Sequence, residues 1–227
     1  MVRDRWPDFG ALIRRIGGAQ VRAAGTIGGN VANGSPIGDS MPALIALGAG
    51  ILLQKGKKQR RLALEDFYLG YRRTALEPCE FLVEIQIPMS ASDPTSASDP
   101  KSASTFKCYK ISKRFDQDIS AVLGAFALQL SPDQEVRKIR IAFGGMAEVP
   151  KRAALTERAM LGKPWTAATV SAGQAALAAE FSPISDMRAS AHYRLTVAQN
   201  LLRKLFIETT EPATATRVGL HPLDARP

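Results

Sequence analysis

The sequence holds two cysteines and two histidines in 227 residues, and each scarcity removes chemistry. An iron–sulfur cluster normally takes four Cys ligands, so this chain cannot hold one alone. His192 and His221 stand without a Cys or carboxylate cluster at ligand spacing, which argues against zinc. No Cys–His or Ser–His pairing suggests covalent catalysis. No apolar run approaches the roughly 18 residues that cross a bilayer; the best stretch, 41–53, is broken by Pro42, Gly48 and Gly50. The first seven residues lack the apolar centre of a signal peptide. These absences predict a cytoplasmic protein with no membrane contact and with free thiols at Cys79 and Cys108, both inert.

What is present is ordinary for a globular protein: 45% hydrophobic and 22% charged residues, which excludes a collagenous or wholly disordered chain. The net charge is +9. Its densest run, Lys55-Gly-Lys-Lys-Gln-Arg-Arg61, lacks interleaved aromatics and reads as a solvated hairpin tip rather than a nucleic-acid patch. Arg72-Arg73 fits a cofactor phosphate or a plain surface pair equally well. His192, on the last helical segment, reads as a surface or partly packed side chain rather than a proton shuttle.

A low-complexity segment divides the chain. Residues 90–104 read SASDPTSASDPKSAS, which cannot build a core and marks a linker. This gives four segments: a first domain at 1–89, the linker at 90–104, a second domain at 105–208, and a disordered tail at 209–227. In the first, a helix is expected over 9–16, stopped by Gly17-Gly18. Five glycines between Gly25 and Gly38 predict irregular backbone through Gly28-Gly29. A short helix follows over 41–47, capped by Asp39 or Ser40. Then come a hairpin of 50–53 with 59–64 and a strand at 81–87. In the second, a strand at 106–111 precedes a hairpin of 121–130 with 136–143. Helices follow at 153–161, 167–180 and 189–206, the last capped by Asp186 or Ser185 and presenting Tyr193, Val197, Leu201 and Leu205 at helical spacing. Strands followed by helices make an α+β class.

The run Gly25-Thr-Ile-Gly-Gly-Asn30, continued by Gly34-Ser-Pro-Ile-Gly-Asp39, is where chemistry fits best. Consecutive glycines let backbone N–H groups approach an anion, and Asn30, Asn33 and Ser35 add short polar groups. Neither GxGxxG nor GxxxxGK[ST] occurs, so on spacing alone a nucleotide-cofactor loop and a structural turn stay equally open. Asp116 and Asp118 either order a loop beside such a cofactor or cap local structure.

Four collinear segments carry a resemblance: Gly25 to Leu44, Gly70 to Leu82, Tyr109 to Ile119, and Ser185 to Arg194. Together they resemble the FAD-binding small subunit of bacterial xanthine dehydrogenase over about residues 8 to 207. The resemblance implies part of a FAD-binding domain of the vanillyl-alcohol-oxidase and xanthine-dehydrogenase type, its second subdomain. After it would come the C-terminal domain shared with the carbon monoxide dehydrogenase flavoprotein, a three-stranded antiparallel sheet packed by helices. It implies that Thr26, Ile27, Gly28, Gly29 and Asn30 form a FAD-binding loop and that Ile16 lies against the flavin nucleotide. It further implies FAD contacts at Asp39, Leu82 and Lys110, and an aromatic side chain at Tyr71 near a nicotinamide site. No residue is implied as catalytic and none as a metal ligand. The activity implied is electron transfer from iron–sulfur clusters through FAD to NAD within a molybdenum-containing xanthine dehydrogenase. The partners implied are a molybdenum-binding large subunit and an N-terminal segment carrying iron–sulfur clusters and the first FAD subdomain. That segment has no counterpart before Met1, so the chain alone is expected to purify colourless and inactive. Two rival readings are a flavoprotein for another substrate, such as an aldehyde, carbon monoxide or a heterocycle, and a non-catalytic assembly module.

Overall fold

The computed structural model describes residues 2–88 and 104–216; most of the 90–104 linker and the end of the tail lie outside the described residues. Two short helices open the chain, α1 (Val2–Arg5) and α2 (Pro7–Arg14), with Pro7 at the first turn, where its missing N–H costs nothing. The expected helix thus starts and stops two residues early, and Arg15 and Ile16 fall in the turn before Gly17, whose φ is +60°. Helix α3 (Ala19–Ala24) follows.

The glycine run corrects the sequence expectation. Thr26 caps a helix, α4 (Ile27–Asn33), and its side chain accepts the Gly29 N–H at 2.9 Å. Gly28 and Gly29 are therefore helical, in the first turn. The capping bond and the left-handed Gly34 that ends the helix outweigh the propensity of two glycines to leave it. Helix α5 (Ser40–Ala46) is buried along its whole length. Asp39 occupies its N-cap position but makes no capping bond, because its carboxylate is engaged elsewhere.

Strands β1 (Gly50–Lys55) and β2 (Lys58–Ala63) form the expected hairpin around Gly56, and β5 (Phe81–Gln86) pairs with β1 on its other side. A 3-10 turn (Leu64–Phe67) and the pair β3 (Tyr68–Gly70) and β4 (Arg73–Thr74) lie between. Ile51, Leu53, Leu64 and Phe67 join Phe9, Val31 and the apolar side chains Met41, Ala43, Leu44, Ile45 and Ala46 of α5 in one core.

The second sheet runs β6 (Ser104–Ile111), β7 (Val122–Leu130), β8 (Val136–Gly144) and β9 (Lys151–Arg152), all antiparallel. Its fourth strand, two residues long, extends the expected three. Both faces are covered, which explains the nearly unbroken apolar run of β7. Val122, Phe126, Ile139, Ile141 and Phe143 meet the helices α6 (Ala154–Met160), α7 (Ala167–Glu180) and α8 (Ala191–Thr210). Leu123, Ala125 and Ala142 on the opposite face pack into the core built around α5.

Helix α8 starts at a Ser190 cap, not at Ser185 or Asp186, although Ser185 Oγ accepts the Ala191 N–H. It ends at Thr210, two residues into the segment expected to be disordered, and 211–216 are described as well. Its buried side is Arg194, Ala198, Leu201, Leu202 and Leu205, which leaves Tyr193 47% exposed. A buried arginine displaced the aromatic expected there. No helix among the described residues is long and apolar enough to cross a membrane.

Candidate cofactor site

Three segments carry the candidate residues: the α2–α3 turn, the N-terminus of α4, which lies against β5, and the β6–β7 loop, which meets the α2–α3 turn. At the first, Ile16 is half-buried beside Gly17, whose carbonyl accepts a 2.7 Å bond from Arg22. Arg15 crosses to the third, stacking over the Phe115 ring at 4.3 Å and donating two bonds to the Phe115 carbonyl. Within that loop Asp118 accepts the N–H groups of Arg114 and Ile119, which holds its carboxyl below the usual range and orders the loop locally.

At α4 the first turn faces outward. The opening N–H groups of any helix lack intrahelical partners, and among the described residues only that of Gly29 is taken, by Thr26. A Cβ on Gly28 would touch nothing closer than Leu82 Cδ2, at 3.7 Å. The packing of the chain does not require glycine there, and the helix terminus is open at this position. This matches the donor set that a pyrophosphate-bearing cofactor needs. Ile27 is 36% exposed beside it, and Asn30 is tied back to α5, its Oδ1 accepting from Ser40 Oγ at 2.5 Å. Gly28 and Leu82 are thus neighbours.

Asp39 and Lys110 meet each other. Lys110 Nζ lies 2.5 Å from Asp39 Oδ2, and Ser120 Oγ donates to Oδ1 at 2.5 Å. The lysine side chain is 2% exposed and the aspartate 6%. Both oxygens of the carboxylate are engaged inside the protein, so what the structure displays is a buried ion pair bolting α5 to β6, not two groups turned to a ligand. Ser120 was missed from sequence; a lone serine after a loop carries no signal.

Tyr71 is 58% exposed. It lines a groove of about 810 Å³ with Ser35, Ile37, Met146, Arg188 and Arg194. Arg194 is the largest fully buried side chain, another residue to which sequence reasoning assigned no role. It donates to the carbonyls of Ala121 and Gly145 and to Asp186 Oδ1 at 2.6 Å. Burial would raise the Asp186 carboxyl. The N–H groups of Arg188 and Ala189, with the Arg194 guanidinium, override it and hold the carboxyl at about 2.

The remaining candidates are placed without chemistry. Burial, with the carboxylates of Asp8 and Asp39, pushes the Cys108 thiol far up, and Cys79 is exposed. His192 is exposed. The basic tip is exposed except for Arg60, which forks onto Glu80 at 2.6 Å.

Residues 1–90 match the FAD binding domain in molybdopterin dehydrogenase, and residues 107–209 match the CO dehydrogenase flavoprotein C-terminal domain. The chain is 33% identical over 193 residues to the nicotinate hydroxylase hnxS of Emericella nidulans, covering 83% of this chain and 14% of that protein. It is 30% identical to the glyceraldehyde dehydrogenase medium chain of Sulfolobus acidocaldarius, covering 92% of this chain and 69% of that one. Xanthine dehydrogenases are among the further relatives. Of the solved structures, a chain of the carbon monoxide dehydrogenase from Hydrogenophaga pseudoflava superposes with TM-score 0.77 at 30% identity, covering 89% of this chain and 67% of that one. The chain spans only about a seventh of the hydroxylase. It belongs to the xanthine dehydrogenase and carbon monoxide dehydrogenase family of flavoproteins, as a FAD-binding domain followed by the flavoprotein C-terminal domain, and its cofactor is FAD.

Proposed function

We propose that this chain is the flavin-bearing electron-transfer part of a molybdenum hydroxylase of the xanthine dehydrogenase kind, with NAD as final acceptor. The carrying observation is the Thr26-capped α4 terminus, open at Gly28 and flanked by Leu82. FAD, when bound, supplies the exchange between one-electron carriers and a two-electron acceptor. The chain's own residues bind and orient. The N–H groups of Ile27 and Gly28 would face pyrophosphate oxygens, with Ile16 and Leu82 against apolar parts of the nucleotide. Asp39 and Lys110 would act from behind, by fixing α5 and the β6–β7 loop. The groove beside Tyr71, with Arg188 at its rim, favours a nicotinamide dinucleotide as acceptor. A molybdenum-binding subunit and an iron–sulfur segment are the proposed partners, and the 1–89 and 105–208 division is the proposed domain organisation.

The choice of xanthine rests on the close resemblance of the run from Gly25 to Leu44. Relatives named for nicotinate and glyceraldehyde favour the alternative in which another substrate is oxidised on a partner subunit. Titration of FAD and of riboflavin into the chain, followed by flavin fluorescence, tests the site. FAD should bind more tightly than riboflavin, and Gly29→Val should remove the preference. Equal affinity for the two flavins would overturn the assignment of α4 to the pyrophosphate.

A further inference from the structure

The pair Arg72-Arg73, which from sequence fits a phosphate or a plain surface equally well, is split by the fold. Gly70 pairs with Arg73, so the β3–β4 hairpin turns on two residues, Tyr71 and Arg72. Turns this tight favour glycine wherever φ is positive. Here the residue with positive φ is Arg72, at +55°. A side chain held in that region costs free energy, and such positions concentrate where a ligand is clamped. Arg72 is exposed, so packing does not demand its side chain. An arginine therefore stands where glycine would fit the backbone better.

Its guanidinium lies over the Tyr71 ring, 5.7 Å from the centroid, and among the described residues it donates to no carboxylate or carbonyl. A guanidinium over a ring spends its face on the ring and keeps its N–H donors in the plane, where an oxyanion can take two of them. The same ring lines the groove of about 810 Å³. Other charges along that groove are committed. Asp186 pairs with Arg194 and Arg188, Glu180 accepts the N–H groups of Leu155 and Thr156, and Lys151 lies over the Phe181 ring at 5.1 Å. Glu148 is the exception. Its Oε1 lies 3.8 Å from the point where a Cβ on Gly70 would stand, at the foot of the hairpin. A carboxylate at the foot and an arginine at the tip direct an anion to the tip.

We propose that Arg72 binds a phosphate group of the nicotinamide dinucleotide at the rim of this groove, with the Tyr71 ring beneath holding the guanidinium in place. The proposal rests on the reading of the groove as the acceptor site. The left-handed turn sets where the guanidinium stands, and its planar fork meets two phosphate oxygens together, which a lysine ammonium does only as a point charge. Arg72 touches the acceptor away from the reacting atoms, so it is a binding residue that orients the dinucleotide and not a catalytic one.

Fluorescence titration of the full, flavin-free chain tests it, with NADH and with dihydronicotinamide riboside, which carries the same ring and ribose but no phosphate. The unaltered chain should bind NADH about tenfold more tightly, the worth of one charge-assisted contact. Arg72→Gly should remove that preference while leaving urea stability equal or higher, because glycine relieves the turn. Arg72→Lys should give an intermediate preference. Arg73→Ala, which loses the same charge one residue further on, should leave the preference intact. A preference that survives Arg72→Gly, or that Arg73→Ala removes equally, would overturn the role of Arg72 and leave the groove assignment standing. So would equal binding of the two probes by the unaltered chain. Binding of neither probe would overturn the groove assignment and this proposal with it.

Discussion

Replacing Lys110 with methionine should separate a structural role for the Asp39–Lys110 pair from direct cofactor contact. Methionine keeps most of the volume, so little cavity forms. What changes is charge: Asp39, 6% exposed, would keep only the Ser120 hydroxyl. Removing one partner of a buried pair costs about 3–5 kcal/mol, because the other charge is stranded away from water. Against a typical total of about 5–15 kcal/mol, that is a large fraction of the stability. Asp39→Leu combined with Lys110→Met should regain most of the loss, since a buried pair replaced by apolar groups is often neutral. The residual cost is the Ser120 hydroxyl, left without its acceptor, at about 1–3 kcal/mol. Urea unfolding of the flavin-free chain, followed by circular dichroism, measures all three variants. A loss below about 1 kcal/mol for Lys110→Met would refute the reasoning and return Lys110 to the ligand side of the cleft.

Three further outcomes follow from the same geometry. Asp186 has its pKa depressed to about 2 in the folded state, so the stability it contributes is present above the unfolded value of about 3.9 and is lost as pH falls through about 2; Asp186→Asn should flatten the acid limb of a thermal-melt series between those values. Gly145 sits at φ +79°, and a Cβ there would lie 2.3 Å from the Ala121 carbonyl oxygen and 2.9 Å from Arg194; Gly145→Ala should cost more than about 2 kcal/mol in chemical denaturation, and a neutral result would contradict that crowding. Thr26→Ala removes the α4 cap and should cost about 1 kcal/mol, with a parallel weakening of FAD binding measured by fluorescence; full affinity would show that the helix terminus is not the pyrophosphate site.

The sequence by itself determined the elements that repeat on a short period. The hairpin around Gly56, the β7–β8 pair and helix α7 are legible because alternation and 3.6-residue spacing are local properties. The four collinear motif segments likewise pointed to the broader family. Local reading failed where local preference was outvoted. Gly28-Gly29 reads as irregular chain, yet Thr26 and Gly34 impose a helix on it from both ends. Asp39 reads as a cap or a ligand, yet it is bonded to Lys110 and Ser120, 71 and 81 residues further on. Arg194 has no role in the local pattern of α8, yet it is buried because Ala121, Gly145 and Asp186 converge on it. Only tertiary structure decided these, because a charge can be buried only by what distant segments bring to it.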